Sequence, residues 1–177
     1  MRRWLIGLFA LAAAEAPALA CFCVGPYGER QTREFASGMA RSVVALAEVI
    51  QVEKMDLGAM RPERYRVLRS IVGDAPDTFF AATEFERHSS GIVTTPMSDC
   101  DAAPGEGERR IVALYPPRKE GDTGLPLPDR ENRARIAAAR KERTLEFGSM
   151  CDHLFLNTKG VVELVREEAR KLGRSVN

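Results

Sequence analysis

Two cysteines separated by a single residue, Cys21 and Cys23, stand directly behind a stretch of Ala and Leu, and two more follow far downstream at Cys100 and Cys151. This spacing constrains the fold of the 177-residue chain more than any other feature. The residues before it decide how it is read. Met1-Arg2-Arg3 leads into an apolar run from Trp4 to Ala14 and then into Ala18-Leu19-Ala20, the charged, apolar, small-residue order of a secretory signal peptide. Residues 1–20 are therefore expected to be cleaved after Ala20, with Cys21 the first mature residue. The apolar run is shorter than the roughly 20 residues a membrane-spanning helix needs, so no membrane span is expected. A lipid anchor on Cys21 competes for the same terminus, although Ala18 stands where such a motif usually carries Leu. Either way the protein is read as secreted, periplasmic or extracellular, where disulfides persist.

An even number of cysteines predicts two bridges. A bridge between Cys21 and Cys23 is not expected, which leaves two pairings. In both, each N-terminal cysteine reaches a distant partner, and the start of the mature chain is tied to the middle and the end of the domain. Residues 21–177 suffice for one domain with a core, and one domain is expected. Lys and Arg number 26 against 25 Asp and Glu, and Arg2, Arg3 and Glu15 leave with the leader. The mature chain is thus formally neutral, which argues against a general binder of nucleic acid or anionic membranes.

Along the mature chain, Phe35 and Met39 are spaced as one apolar side of a short helix over Arg30–Ser42, with Gly38 weakening it. The segment from Val43 to Lys54 reads as a strand whose later half sets Ile50 and Val52 against Gln51 and Glu53. Arg64–Val72 alternates as a second strand with Tyr65, Val67 and Ile71 on one face. Asp77–Phe85 is a third, with Phe79, Ala81, Thr83 and Phe85 on one face, and Arg109–Tyr115 is a short core-crossing run. Residues 116–148 read as an insertion, a Pro- and Gly-rich loop followed by a basic helix from Asp129 to about Leu145. Its Arg130, Arg133, Arg135, Arg140, Lys141 and Arg143 are taken as a solvated face. A last amphipathic helix covers about Thr158–Leu172 with Val161, Leu164, Val165 and Leu172 inward. This succession predicts a mainly β protein, a small Greek-key barrel with appended helices, with a β-sandwich as the alternative.

A mature Cys-x-Cys opening is followed by a Pro-containing turn and a short helix, an alternating strand, an aromatic-basic strand ending in Gly, and a Phe-rich strand. A mid-chain cysteine then precedes the run IVALY, and Cys151-Asp152-His153-Leu154-Phe155 enters a terminal helix. In this order the chain resembles the N-terminal inhibitory domain of the tissue inhibitors of metalloproteinases, within the netrin-like group of OB-folds. The resemblance implies a five-stranded OB-fold Greek-key barrel with a short N-terminal helix and one or two C-terminal helices. It selects the bridges Cys21–Cys100 and Cys23–Cys151 from the two pairings left open. The third disulfide and second domain of those inhibitors have no counterpart here, and residues 116–148 exceed the family's corresponding connection.

The resemblance also implies a mechanism. A metalloprotease zinc keeps one coordination position open, and an α-amino group can give up its proton to a metal. The backbone amine and carbonyl of Cys21 would chelate the protease zinc and displace its water, and disulfides that order the terminus lower the cost of doing so. Phe22, where family members usually carry a small residue, would enter the primed-side pocket of the protease. Val24, Gly25 and Pro26 would extend the contact ridge, with Ser98, Asp99 and Asp101 at its rim. The alternative is a non-inhibitory secreted or envelope binding domain in which Cys21 and Cys23 only staple the fold. No cofactor is expected: Cys21, Cys23, His88 and His153 lack ligand-pair spacing. No enzymatic activity is expected either, since Asp152-His153 has no accompanying nucleophile motif.

Overall fold

The computed structural model describes residue 23 and residues 28–54, 63–81, 86–87, 93–94, 102–117 and 129–177. The expected signal peptide, residues 1–20, lies outside them. Helix α1 (Glu29–Ser42) forms where Phe35 and Met39 are spaced for it, and buries Ala36, Met39 and Ala40. Gly38 costs it little packing, because a side chain there would project into open space. Two ion pairs one turn apart, Arg30–Glu34 and Glu29–Arg33, line its solvent side.

Five strands then close a barrel: β1 (Ala45–Glu53), β2 (Arg64–Gly73), β3 (Thr78–Ala81), β6 (Arg109–Tyr115) and β7 (Thr144–Phe147). Two short strands between β3 and β6, β4 (Glu86–Arg87) and β5 (Val93–Thr94), pair only with each other. Around the barrel the order is β1-β2-β3-β7-β6, with β6 returning to β1. The β3–β7 pair is parallel and every other pair in the barrel is antiparallel. Counting barrel strands in chain order this is 1-2-3-5-4, the Greek-key arrangement of an OB-type barrel. The fold class expected from the sequence is the one observed.

Curvature comes from irregular pairing between β1 and β2. The register shifts between Leu46 and Ala47, between Glu48 and Val49, and between Gln51 and Glu53, and such bulges bend a strand and increase its twist. They also change which side chains face inward. Ala45, Ala47 and Val49 are buried inside the barrel, whereas Val52 is exposed. Odd-numbered residues of β1 keep the interior because the first two skipped residues, Ile71 and Leu68, lie on β2. The alternation at the end of β1 therefore sets Val52 on the outer face instead of inward, while it is β2 whose faces exchange. On β2, Tyr65 and Val67 belong to the barrel interior, while Ile71 joins the cluster on the outer side.

Two apolar clusters result. The barrel interior is filled by Val49, Tyr65, Phe79, Val112, Leu114, Leu145 and Phe147 among others, and the rings of Tyr65 and Phe147 meet edge to face at 4.7 Å between centroids. Outside the barrel, Leu46, Ile71, Val72 and Ala113 are covered by α1 and by α4 (Val161–Lys171), which contributes Val161, Val165 and Ala169. Leu172 was expected to face inward and is exposed; Ala169 takes that place. Leu172 lies past the last helical residue, at the C-cap, so the helical spacing that would aim it at the sheet has ended.

The basic helix also ends earlier than its composition suggests. Helix α2 spans Asp129–Glu142, Arg143 turns the chain with a φ of 54°, and β7 begins at Thr144. Leu145 and Phe147 point into the barrel, so the segment read as loop plus helix supplies the strand that closes it. Helix α3 (Met150–Leu156) follows and packs on β6. Among the described residues no helix is long and apolar enough to cross a membrane.

Candidate functional site

The turn that joins β7 to α3 gathers what the described residues show of the predicted ridge. Ser149 caps α3: its hydroxyl accepts from the Asp152 amide at 3.2 Å, and the Asp152 carboxylate accepts from the Ser149 amide at 2.9 Å. This reciprocal box satisfies two amides that a helix start leaves without partners. Its signature, Ser149-x-x-Asp152, is legible in the sequence although only the neighbouring Cys-Asp pair was read there. Two residues past the cap, Cys151 is bonded to Cys23, with 5.2 Å between their α-carbons. The pairing implied for Cys23 is the one observed.

Gly148 lets the turn sit close. A β-carbon at this position would lie 2.7 Å from Asp152 Oδ2, 3.1 Å from the Tyr115 ring and 3.2 Å from the Ala113 β-carbon. The Gly148 amide donates to Ala113 of β6 at 2.8 Å, and its carbonyl accepts from the Ala102 amide at 3.0 Å. Thus the chain just after Asp101 and the chain at Cys23 are both fastened to the turn Gly148–Cys151. The Tyr115 phenol is pushed above its ordinary value, first by burial and second by the Asp152 carboxylate. It remains protonated at all ordinary pH.

The return from residue 102 to β6 is held by a second device. Arg110 donates to Glu108 at 2.7 and 2.9 Å through one nitrogen and to the carbonyls of Ala102 and Ala103 at 3.4 and 3.3 Å through another. Glu108 in turn accepts from the Gly105 amide at 3.0 Å. That backbone bond, then the Arg110 guanidinium, holds the Glu108 carboxyl below its usual range. Sequence reading missed Glu108, Arg110, Tyr115 and Gly148, because their role is to position a loop and none carries a chemical motif.

Cys21, Phe22, Val24, Gly25, Pro26, Ser98, Asp99, Asp101 and Cys100, and with them the Cys21–Cys100 bridge, lie outside the described residues. His153 has Nδ1 at 3.4 Å from the Ile111 carbonyl, which ties α3 to β6, and Nε2 at 3.0 Å from the side-chain amide nitrogen of Asn157, the C-cap of α3. His88, the other histidine considered, lies outside the described residues. Among those described, no three His, Cys, Asp or Glu side chains are grouped to hold a metal ion. No family model, curated protein or solved structure matches the chain.

Proposed function

We propose that the chain is an exported, disulfide-stapled OB-type domain that inhibits a zinc metalloprotease through the backbone amine and carbonyl of Cys21, and that it is not itself an enzyme. One observation carries this reading: Cys23 and Ala102, the described residues nearest the two halves of the predicted ridge, are fastened to the same turn at Gly148–Cys151. Segments some eighty residues apart in sequence are brought to one place by a covalent bond and a hydrogen bond. Two residues of chain reach at most about 7 Å, so a mature terminus at Cys21 cannot stray far from that turn. A terminus held in this way loses little freedom on binding.

In this reading the protease supplies the metal, and the inhibitor supplies two ligand atoms in fixed relation. The Cys21 amine must be free and neutral to coordinate, so binding releases a proton and weakens as pH falls below the ordinary amine range of about 7.7 to 8.0. Phe22 would select proteases with a deep primed-side pocket, and Val24, Gly25, Pro26, Ser98, Asp99 and Asp101 would form the flanking contacts.

The test is stoichiometric titration of zinc metalloproteases with oxidised protein whose mass shows Cys21 as its first residue. Inhibition is expected to saturate at one inhibitor per enzyme and to vanish when a single alanine precedes Cys21, because the added residue removes the chelating amine. Full protease activity at saturating inhibitor across enzymes with deep primed-side pockets would reject the proposal, leaving a stapled binding domain.

A further inference from the structure

A second feature lies at the junction of α1, α2, the β2–β3 turn and the C-terminal tail. A cleft of about 580 Å³ opens there, and four arginines line it: Arg41, Arg133, Arg140 and Arg174. Among the described residues two carboxylates, Asp74 and Asp129, share the lining. Asp74 accepts from Ser175 at 2.9 Å and stands 3.9 Å from Arg140, too far for a strong bond. The lining therefore carries two positive charges in excess.

Some surface cations are paired along a helix, as in Arg30–Glu34, Arg166–Glu163 and Lys171–Glu167. Around the cleft, among the described residues, the one ion pair is the long Arg140–Asp74 contact. Among the described residues the Arg41 and Arg133 side chains form no hydrogen bond or ion pair, and the Arg140 Nε is buried without a partner. Arg174 reaches the carbonyls of Ala40 and Val44, and Arg140 reaches the same Val44 carbonyl at 3.4 Å. Two guanidinium groups thus converge on one backbone oxygen. Burial, then the charge of Arg140, pushes Arg174 below its ordinary value against the smaller opposing pull of Asp74, as expected where cations outnumber the anions held with them. Gly73 makes the convergence possible, since a β-carbon there would lie 2.3 Å from the Val44 oxygen and 2.6 Å from Arg174.

We propose that this cleft binds a phosphate ester, its dianionic head among the arginines and its organic body against Ile136, Ala137 and Leu172. The planar fork of a guanidinium matches phosphate oxygens in paired hydrogen bonds, and two surplus charges match a monoester dianion. The volume falls within the range of small-molecule sites, about 300 to 1,000 Å³, and leaves room beside a bare phosphate. The apolar wall includes Leu172, which is 43% exposed and has an organic group to cover only when the cleft is filled. The site rests on none of the residues assigned to protease binding.

Calorimetric titration of the oxidised full chain with phenyl phosphate and with inorganic phosphate, alongside flotation on phosphatidylcholine vesicles with and without phosphatidic acid, tests the site. Phenyl phosphate is expected to bind more tightly than inorganic phosphate. Arg41→Gln combined with Arg133→Gln is expected to weaken binding by about tenfold or more for each charged hydrogen bond lost, with thermal unfolding of the unliganded protein unchanged. Arg140 and Arg174 are left intact because they hold the fold. Flotation only with phosphatidic acid, abolished in the double variant, would assign the ester to a lipid headgroup; binding of phenyl phosphate alone would assign it to a soluble ester. Binding of neither, or equal binding by the double variant, overturns the proposal.

Discussion

At the scale of single residues, the turn at Gly148 concentrates the constraints. With Asp152 fixed by the capping box and Tyr115 by burial, neither neighbour can yield to a β-carbon at 2.7 and 3.1 Å. Gly148→Ala is therefore expected to destabilise the protein by about 1 to 3 kcal/mol, the usual cost of overpacking, read as a lower urea midpoint with unchanged slope. Tyr115 gives a pH signature. Its folded pKa lies above its unfolded value of about 10, so the protonated phenol stabilises the fold fully below that pH. Stability then falls as pH rises beyond it, by up to about 1.4 kcal/mol per pH unit for one proton. Urea titrations from pH 8 to 11.5 should show this loss, and Tyr115→Phe should remove one proton's share of the slope while leaving stability at pH 8 nearly unchanged. An identical alkaline slope in both proteins would assign the loss to other groups.

At the scale of elements, the staple is the strongest single constraint on α3 and on the N-terminal chain. The Cys23–Cys151 bond joins residues 128 apart, and closing a loop of that size removes about 5 kcal/mol of unfolded-chain entropy, comparable with the whole stability of a small domain. Replacing both cysteines with alanine should lower the unfolding free energy by an amount approaching this, measured by urea titration against the oxidised parent. A loss under about 1 kcal/mol would mean that the unfolded chain is already compact. The spacing of the cysteines left two pairings open, and the staple was legible only through the family resemblance that chose between them, whereas α1 and β6 were legible because Phe35, Met39 and the IVAL run are dictated by local pattern. Strand β7 was not. Its four residues, Thr144–Phe147, continue the helix-forming composition of Arg140–Arg143, and the reversal is made by Arg143 at positive φ where a Gly or Pro would have marked it. The Arg cleft was hidden for a similar reason. The arginines of α2 read as a solvated face until α1 and the C-terminal tail, distant in sequence, bring Arg41 and Arg174 beside them.

At the scale of the whole molecule, the two apolar clusters divide the protein into parts of unequal hold. The pairing of β1 with β2 runs through eight residue pairs and is backed by α1 and α4, whereas β7 is held by two pairs to β3 and two to β6. Leu145 and Phe147 must therefore keep the barrel shut largely by burial. Because α3 and the Cys23 staple follow directly from β7, whatever opens this seam also releases the turn to which Cys23 and Ala102 are fastened. Native-state hydrogen exchange in rising urea should show the amides of Phe80, Ala102 and Gly148, which bond to Arg143, Gly148 and Ala113, opening together at lower free energy than amides in the middle of β1. Leu145→Ala, which empties a fully buried position, should lower that opening energy by about 2 to 5 kcal/mol. In the oxidised, correctly processed protein it should also weaken any protease inhibition, without touching a single contact residue. If the seam and β1 instead exchange with one free energy and one urea dependence, the barrel opens as a single cooperative unit, and the ridge is as stable as the core that carries it.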